Sequence, residues 1–295
     1  MKKKIAVIGA NGQLGSDVVE AFSGTDVLPL THAEIELASL DSVAACLRGI
    51  RPAVVVNTAA MHHVENCERD AERAFAVNAV GARNLATVTR ELDALLIHVS
   101  TDYVFDGRRT AGHELLPYTE DDLPLPLNVY GNSKLAGEYF VRSGNEKHIV
   151  LRTSALYGRK PCRAKGGKNF VDRMLELGRE RGEVRVVASE MVSPTPTRDL
   201  AEQIVALTDA GVYGLFHATA EGSCSWHEFA CEIFAASNIN VRCLPARPNE
   251  FPAKVPRPSY SVLENARLKQ LGLNRFRHWR EGLHAYLAQT CGAVA

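Results

Sequence analysis

Ile5-Ala6-Val7-Ile8-Gly9-Ala10-Asn11-Gly12-Gln13-Leu14-Gly15 passes from an apolar run straight into three evenly spaced glycines. The apolar run reads as a first strand, and Leu14–Phe22 as the helix after it. Glycines at such a junction permit a tight turn and let a pyrophosphate approach the backbone at the helix N-terminus. The spacing is Gly-x-x-Gly-x-x-Gly, not the commoner Gly-x-Gly-x-x-Gly, and the competing reading is an ordinary glycine-rich turn. Position after the first strand favours a dinucleotide site at Gly9, Gly12 and Gly15.

Beyond this turn, strand-like runs recur at Asp26–Leu30, Ala53–Asn57, Leu95–Ser100, Ile149–Arg152, Val184–Ala188 and Leu215–Ala218. Amphipathic stretches such as Ala71–Leu92 and Val129–Arg142 separate several of them. Alternation of apolar strands with helices predicts an α/β fold, a doubly wound parallel sheet of Rossmann type covered on both faces. Residues 1–153 and about 184–219 are assigned to it. A smaller C-terminal α/β substrate lobe is assigned to about 154–183 and 220–295, with Ser225-Trp226-His227-Glu228 as a capping box.

Bulk properties narrow the function. The 295 residues carry 34 Lys+Arg and 34 Asp+Glu, so no basic excess points to nucleic acid or an anionic membrane. No apolar run approaches the ~20 residues of a membrane span. Seven dispersed cysteines without Cys-x-x-Cys imply reduced thiols and a cytoplasmic protein. No metal is expected: His62, His63, Glu65, Cys67 and Glu68 fit no established zinc spacing. The basic loop from Arg159 to Lys168, with Arg163 and Lys165, is read either as a lure for an anionic substrate or as a solvated loop.

Chemistry enters at Asn128-Val129-Tyr130-Gly131-Asn132-Ser133-Lys134. Helical spacing sets Tyr130 and Lys134 on one face, with Asn128 as N-cap. An ammonium fixed beside a phenol favours phenolate and so poises Tyr130 for proton exchange. The fourth strand ends in Ser100-Thr101-Asp102-Tyr103-Val104-Phe105-Asp106-Gly107, where ligands of parallel sheets bind. The second strand ends Leu28-Pro29-Leu30-Thr31-His32, with no acid at its tip to hold a ribose 2′-hydroxyl. NADP or NAD therefore stays open, with NADPH slightly favoured, and Glu36-Leu37 is placed near the adenine.

These pieces, in order with Asn57-Thr58-Ala59-Ala60, Arg152-Thr153-Ser154, Gly167-Lys168-Asn169-Phe170, Ser193-Pro194-Thr195 and Arg257-Pro258, resemble the extended short-chain dehydrogenase/reductase family. The Thr101–Gly107 string points within it to the reductases of the dTDP-rhamnose pathway. The resemblance implies NAD(P)H-dependent reduction of the C4 keto group of a nucleotide-linked 6-deoxyhexose. It implies Tyr130 as proton donor, Lys134 on the nicotinamide ribose and lowering the Tyr130 pKa, and Thr101 on the reacting oxygen. It places Gly12, Gln13 and Leu14 on the cofactor diphosphate, and Ala60, Met61 and His62 toward the nicotinamide ribose, with Ala59 and Ser100 also on the cofactor. Asp102, Asn169 and Arg257 become substrate contacts, and a monomer or homodimer is implied. Two departures bear on the sugar: Ala155 stands where these reductases often carry Trp, and Ala188-Ser189-Glu190-Met191 where Asp-Gln is usual. Competing readings are a sugar-nucleotide epimerase or dehydratase and a non-catalytic regulatory subunit.

Overall fold

A computed structural model describes residues 3–111, 114–162, 166–247 and 249–291. Its principal elements are β1 (Lys4–Ile8), α1 (Gln13–Ala21), β2 (Asp26–Leu30), α2 (Leu40–Ile50), β3 (Val54–Asn57), α3 (Gly81–Glu91), β4 (Leu95–Thr101) and α4 (Val129–Gly144). There follow β5 (His148–Thr153), α5 (Phe170–Glu180), β6 (Glu183–Val186), α6 (Thr197–Thr208), β7 (Gly214–His217), α7 (Trp226–Ala236), β8 (Arg242–Pro245) and α8 (Trp279–Cys291).

Six strands form the central sheet in the order β7-β5-β4-β3-β1-β2, every pair parallel. Side chains alternate between its faces, as a two-residue period requires. Val7, Val56, Ile97 and Leu151 pack with Val18 of α1 and Leu200 and Ile204 of α6. Ile8, Val55, Leu96 and Val150 pack on the other face with Leu47, Leu85 and Val141, from α2, α3 and α4. Burial on both faces explains why these strands read as continuous apolar runs. Strand order reverses at β1, which has β2 on one side and β3 on the other, and this opens a crevice beyond their carboxyl ends.

A separate core of Tyr157, Val171, Val184, Phe229, Ile233, Trp279 and Leu283 holds the C-terminal lobe. Here the strand expected from Val184 departs from its assignment to the sheet domain. β6 pairs in parallel with β8, outside the central sheet, because Val184 and Val186 face the lobe's aromatic core. The chain rejoins the sheet through α6 and β7.

A second difference lies before α3. The helix expected over Ala71–Leu92 is interrupted by a π-helical turn at Ala76–Val80. Asn78 sits in that turn, and its side chain is drawn into polar contacts with two other segments, described below. Such one-turn π insertions recur at functional sites.

Candidate active site

The glycine turn is pinned from below. Gly9 and Ala10 N–H both donate to Leu30 O, at 2.9 and 3.1 Å, and Gly12 N–H donates to Gly9 O at 2.9 Å. α1 starts with no side-chain cap and no acid in its first turn. Its leading N–H groups thus present positive charge to an anion. A Cβ on Gly15 would lie 2.1 Å from Gly9 O, so only glycine lets helix and turn close this tightly. Gly15→Ala should weaken NADPH binding about tenfold or more, since overpacking costs about 1–3 kcal/mol. An unchanged Kd in a fluorescence titration would remove the turn from the cofactor site.

The neighbouring expected contacts are placed as follows. The Gln13 side chain does not point into the crevice; Nε2 donates to Gly158 O at 2.9 Å and Lys160 O at 2.8 Å. Leu14 is buried against the sheet. Leu37 is buried too, and its carbonyl accepts from Asn84 Nδ2 at 2.9 Å. Glu36 pairs with His32 at 3.3 Å. The tip of β2 is not without acid in space: Glu34 folds back to accept the Thr31 N–H and hydroxyl, both at 2.7 Å. Those bonds, the hydroxyl's first, hold the Glu34 carboxyl below its ordinary range.

The loop after β3 is held by two asparagines. Asn57 Oδ1 accepts Ala59 N–H at 3.1 Å. Asn78 accepts Met61 N–H at 2.8 Å, donates to Met61 O at 2.9 Å and donates to Ser133 Oγ at 3.0 Å. Ala60 and Met61 are half-buried beside the crevice and His62 is exposed. Asn78 thus ties this loop to α4.

Asn128 caps α4, accepting Gly131 N–H at 2.9 Å and donating through Nδ2 to Pro256 O at 3.0 Å. Gly131 packs where a Cβ would stand 2.2 Å from Tyr103 O, which lets the first turn of α4 lie against the end of β4. Tyr130 meets Tyr103 edge-on at 5.9 Å between ring centroids. The Thr101 hydroxyl lies beside the Tyr130 phenol and acts to lower its pKa. The structure brings Thr101, Tyr130 and Lys134 to the carboxyl end of β4, as expected.

The charges differ from expectation. Burial raises the Tyr130 phenol above its ordinary range; the Thr101 hydroxyl opposes this, and Asp102 and Cys67 add to it. Lys134 does not act as the lowering charge, because its amine is engaged elsewhere. Nζ donates to Val99 O at 2.7 Å and lies 3.4 Å from His98 Nε2. Burial lowers Lys134 to about 8, with the Glu138 carboxylate opposing.

His98 was missed by the sequence reading. Burial first, and the Lys134 ammonium next, hold its imidazole well below the ordinary value, so it is neutral. Asn57 Nδ2 faces His98 Nδ1 at 3.1 Å.

Beneath Lys134 lies a buried ion pair. Glu138 and Arg152 have side chains 0% and 2% exposed and meet at 2.7 Å. Ser100 donates its hydroxyl to the same carboxylate, so this expected cofactor contact faces the interior. The Arg152 guanidinium also lies 5.0 Å over the Phe105 ring.

The expected substrate residues divide. Asp102 is 3% exposed, and its oxygens accept the Thr101 hydroxyl at 3.0 Å and the Ser154 hydroxyl at 2.9 Å. It orients Thr101 from behind. Asn169 caps α5 with Asp172 and donates to Gly158 O at 3.0 Å, so its amide serves the lobe. Arg257 pairs with Glu65, while its Nε is buried without a partner among the described residues. The Arg257 guanidinium also lies within electrostatic reach of the Glu190 carboxylate. Glu190 in turn accepts Trp226 Nε1–H at 3.2 Å, and Trp226 packs 4.6 Å from Phe170. A polar and aromatic wall therefore continues from Tyr130 into the lobe. Ala155 contributes only a methyl, on backbone with φ 45°. Within the basic loop, Arg159 pairs with Asp17 and Glu20, and Lys168 with Glu176. Arg163 and Lys165 lie outside the described residues.

The family described as RmlD substrate binding domain matches residues 3–291. The chain is 40% identical to a dTDP-4-dehydrorhamnose reductase of Mycobacterium tuberculosis, covering 99% of this chain and 95% of that one. It is 38% identical to the spore coat polysaccharide biosynthesis protein SpsK of Bacillus subtilis, over 98% of this chain and 99% of that protein. The structure superposes with a TM-score of 0.91 on a dTDP-4-dehydrorhamnose reductase from Bacillus anthracis in complex with NADP. That protein is 37% identical, with 98% of this chain and 100% of the other covered.

Proposed function

The chain belongs to the RmlD substrate-binding family of extended short-chain dehydrogenase/reductases, and from that premise we propose that it reduces the C4 keto group of a dTDP-linked 4-keto-6-deoxyhexose of the dehydrorhamnose type. It is an NAD(P)-dependent oxidoreductase. The observation that carries the substrate chemistry is the Thr101 hydroxyl set against the Tyr130 phenol at the mouth of the crevice.

The uncapped α1 and its glycine cradle fit a dinucleotide pyrophosphate, and Ala60 and Met61 fit the path to its ribose. The reduced nicotinamide supplies hydride when bound. Tyr130 holds its proton in the resting protein, as an acid for a reduction must. It passes that proton to the oxygen developing at C4, while Thr101, aligned by Asp102, fixes the oxygen. The Lys134 ammonium would hold the nicotinamide ribose of the bound cofactor. The half-buried Arg257 guanidinium suits a phosphate or sugar oxygen, and Trp226 suits the apolar sugar face left uncovered by Ala155.

Lys134 is charged below about 8 and neutral above it. The pH profile of kcat/KM should therefore fall on the alkaline side, with a midpoint near 8. A flat profile through that range would remove the ammonium from the mechanism. The function itself is tested by incubating the protein with dTDP-4-keto-6-deoxy-L-mannose and NADPH or NADH. Stoichiometric cofactor oxidation is expected. Sugar conversion without net oxidation would instead mark an epimerase or dehydratase.

The same reading gives a cytoplasmic enzyme, which its free thiols suit. A homodimer is favoured over a monomer, because Phe75, Val80, Tyr139 and Phe140 are exposed on and beside α3 and α4. No helix of the described residues is long and apolar enough to cross a membrane.

A further inference from the structure

Three soft donor side chains converge in the C-terminal lobe. His227 and Cys231 stand four residues apart on α7 and so share one helix face. Cys243 arrives from β8. Cys231 Sγ lies 3.6 Å from His227 Nε2, and the donor atoms of all three residues lie within 4.8 Å of one another. All three side chains are half-buried.

We propose that His227, Cys231 and Cys243 form a binding site for one soft divalent cation of the zinc type, with a fourth position left to water. Zinc binds imidazole nitrogen at about 2.0–2.1 Å and thiolate sulfur at about 2.3 Å, which at a tetrahedral angle sets the two about 3.5 Å apart. The observed 3.6 Å between His227 and Cys231 already meets that separation, and the Cys243 sulfur lies within 4.8 Å of both. Two sulfurs and one imidazole nitrogen select a zinc-like ion over magnesium or calcium, which need oxygen donors.

The supporting elements are rigid. The Ser225–Glu228 capping box fixes the start of α7, and the His227 N–H donates to Val187 O at 2.9 Å. β8 is held in register against β6. Burial first, and the adjacent Cys231 next, push the Cys243 thiol up to about 12. A cation binds there by displacing thiol protons. Bound there, the ion clips α7 to β8 and braces the core around Phe229 and Ile233.

The test uses the full chain, reduced and stripped with chelator, and Co²⁺ followed by Zn²⁺ as probes. One equivalent of Co²⁺ per chain should give thiolate-to-cobalt charge-transfer bands and intense tetrahedral d–d bands, bleached by Zn²⁺. Cys243→Ser and Cys231→Ser should each weaken Zn²⁺ binding by about 100-fold or more, beyond the 10–100-fold typical of a lost outer-shell partner. Cys46→Ser should leave it unchanged. His227→Gln stands in if a cysteine variant fails to fold. Zn²⁺ should raise the wild-type Tm and not that of the variants, with NADPH turnover unaltered. A weak octahedral cobalt spectrum, signals untouched by Cys243→Ser, or a Cys231–Cys243 disulfide that binds no cobalt after reduction would each overturn the site.

Discussion

Tyr130→Phe lowers kcat by about 10²–10⁴-fold while leaving NADPH affinity intact. The substitution deletes one oxygen and keeps the ring that meets Tyr103 edge-on, so the crevice wall stands. What disappears is the phenol proton beside the Thr101 hydroxyl. Thr101 does not replace it, because an aliphatic hydroxyl is a far weaker acid than a phenol. Stopped-flow NADPH oxidation with a dTDP-4-keto sugar separates the two possibilities. A variant turning over at the wild-type rate would mean that the acid lies elsewhere.

Glu138→Gln destabilises the fold by about 3–5 kcal/mol, the cost of stranding one member of a buried ion pair. That is a large share of the roughly 5–15 kcal/mol that holds a typical domain together. The Glu138 carboxylate accepts Arg152 through two nitrogens and Ser100 through its hydroxyl, and the pair is sealed from water. Gln keeps the shape and leaves the guanidinium without a counter-charge. Urea denaturation measures the loss; a change under about 1 kcal/mol, the size of an exposed pair, would refute the buried-pair account. The double variant Glu138→Leu with Arg152→Met should recover much of the stability, since both desolvation penalties then vanish. Glu138 also holds Lys134 up against burial, so any folded Gln variant should move the alkaline limb of activity to lower pH.

How much of this was legible beforehand depended on whether the signal was local. The glycine turn, the Asn128 cap and the Ser225 capping box are each set by residues a few positions apart, and each stands where the spacing placed it. Tyr130, Lys134 and Thr101 were legible because helix period and strand end suffice to bring them together. His98, Asn78 and Glu138 were not, because each acts through a partner from another element: Asn57, Met61 and Arg152. The same holds for β6, whose short alternating run fits two sheets equally well until β8 arrives from far along the chain. The direction of the Tyr130 shift was misread for a related reason. Spacing sets two side chains on one face, but the carbonyl that captures the Lys134 amine belongs to Val99 of β4.

The π-helical turn at Ala76–Val80 lets one continuous helix serve two masters. Each residue along an α-helix rotates its side chain by about 100°. In a uniform α-helix, the phase that aims Asn78 at Met61 and Ser133 would dictate which residues of α3 face the sheet. The added residue resets that phase. Asn78 keeps its aim, and Ala82, Leu85, Ala86 and Val88 still turn inward. Deleting one residue there would force a choice between the cofactor loop and the core, so this stretch should tolerate substitution far better than any change of length.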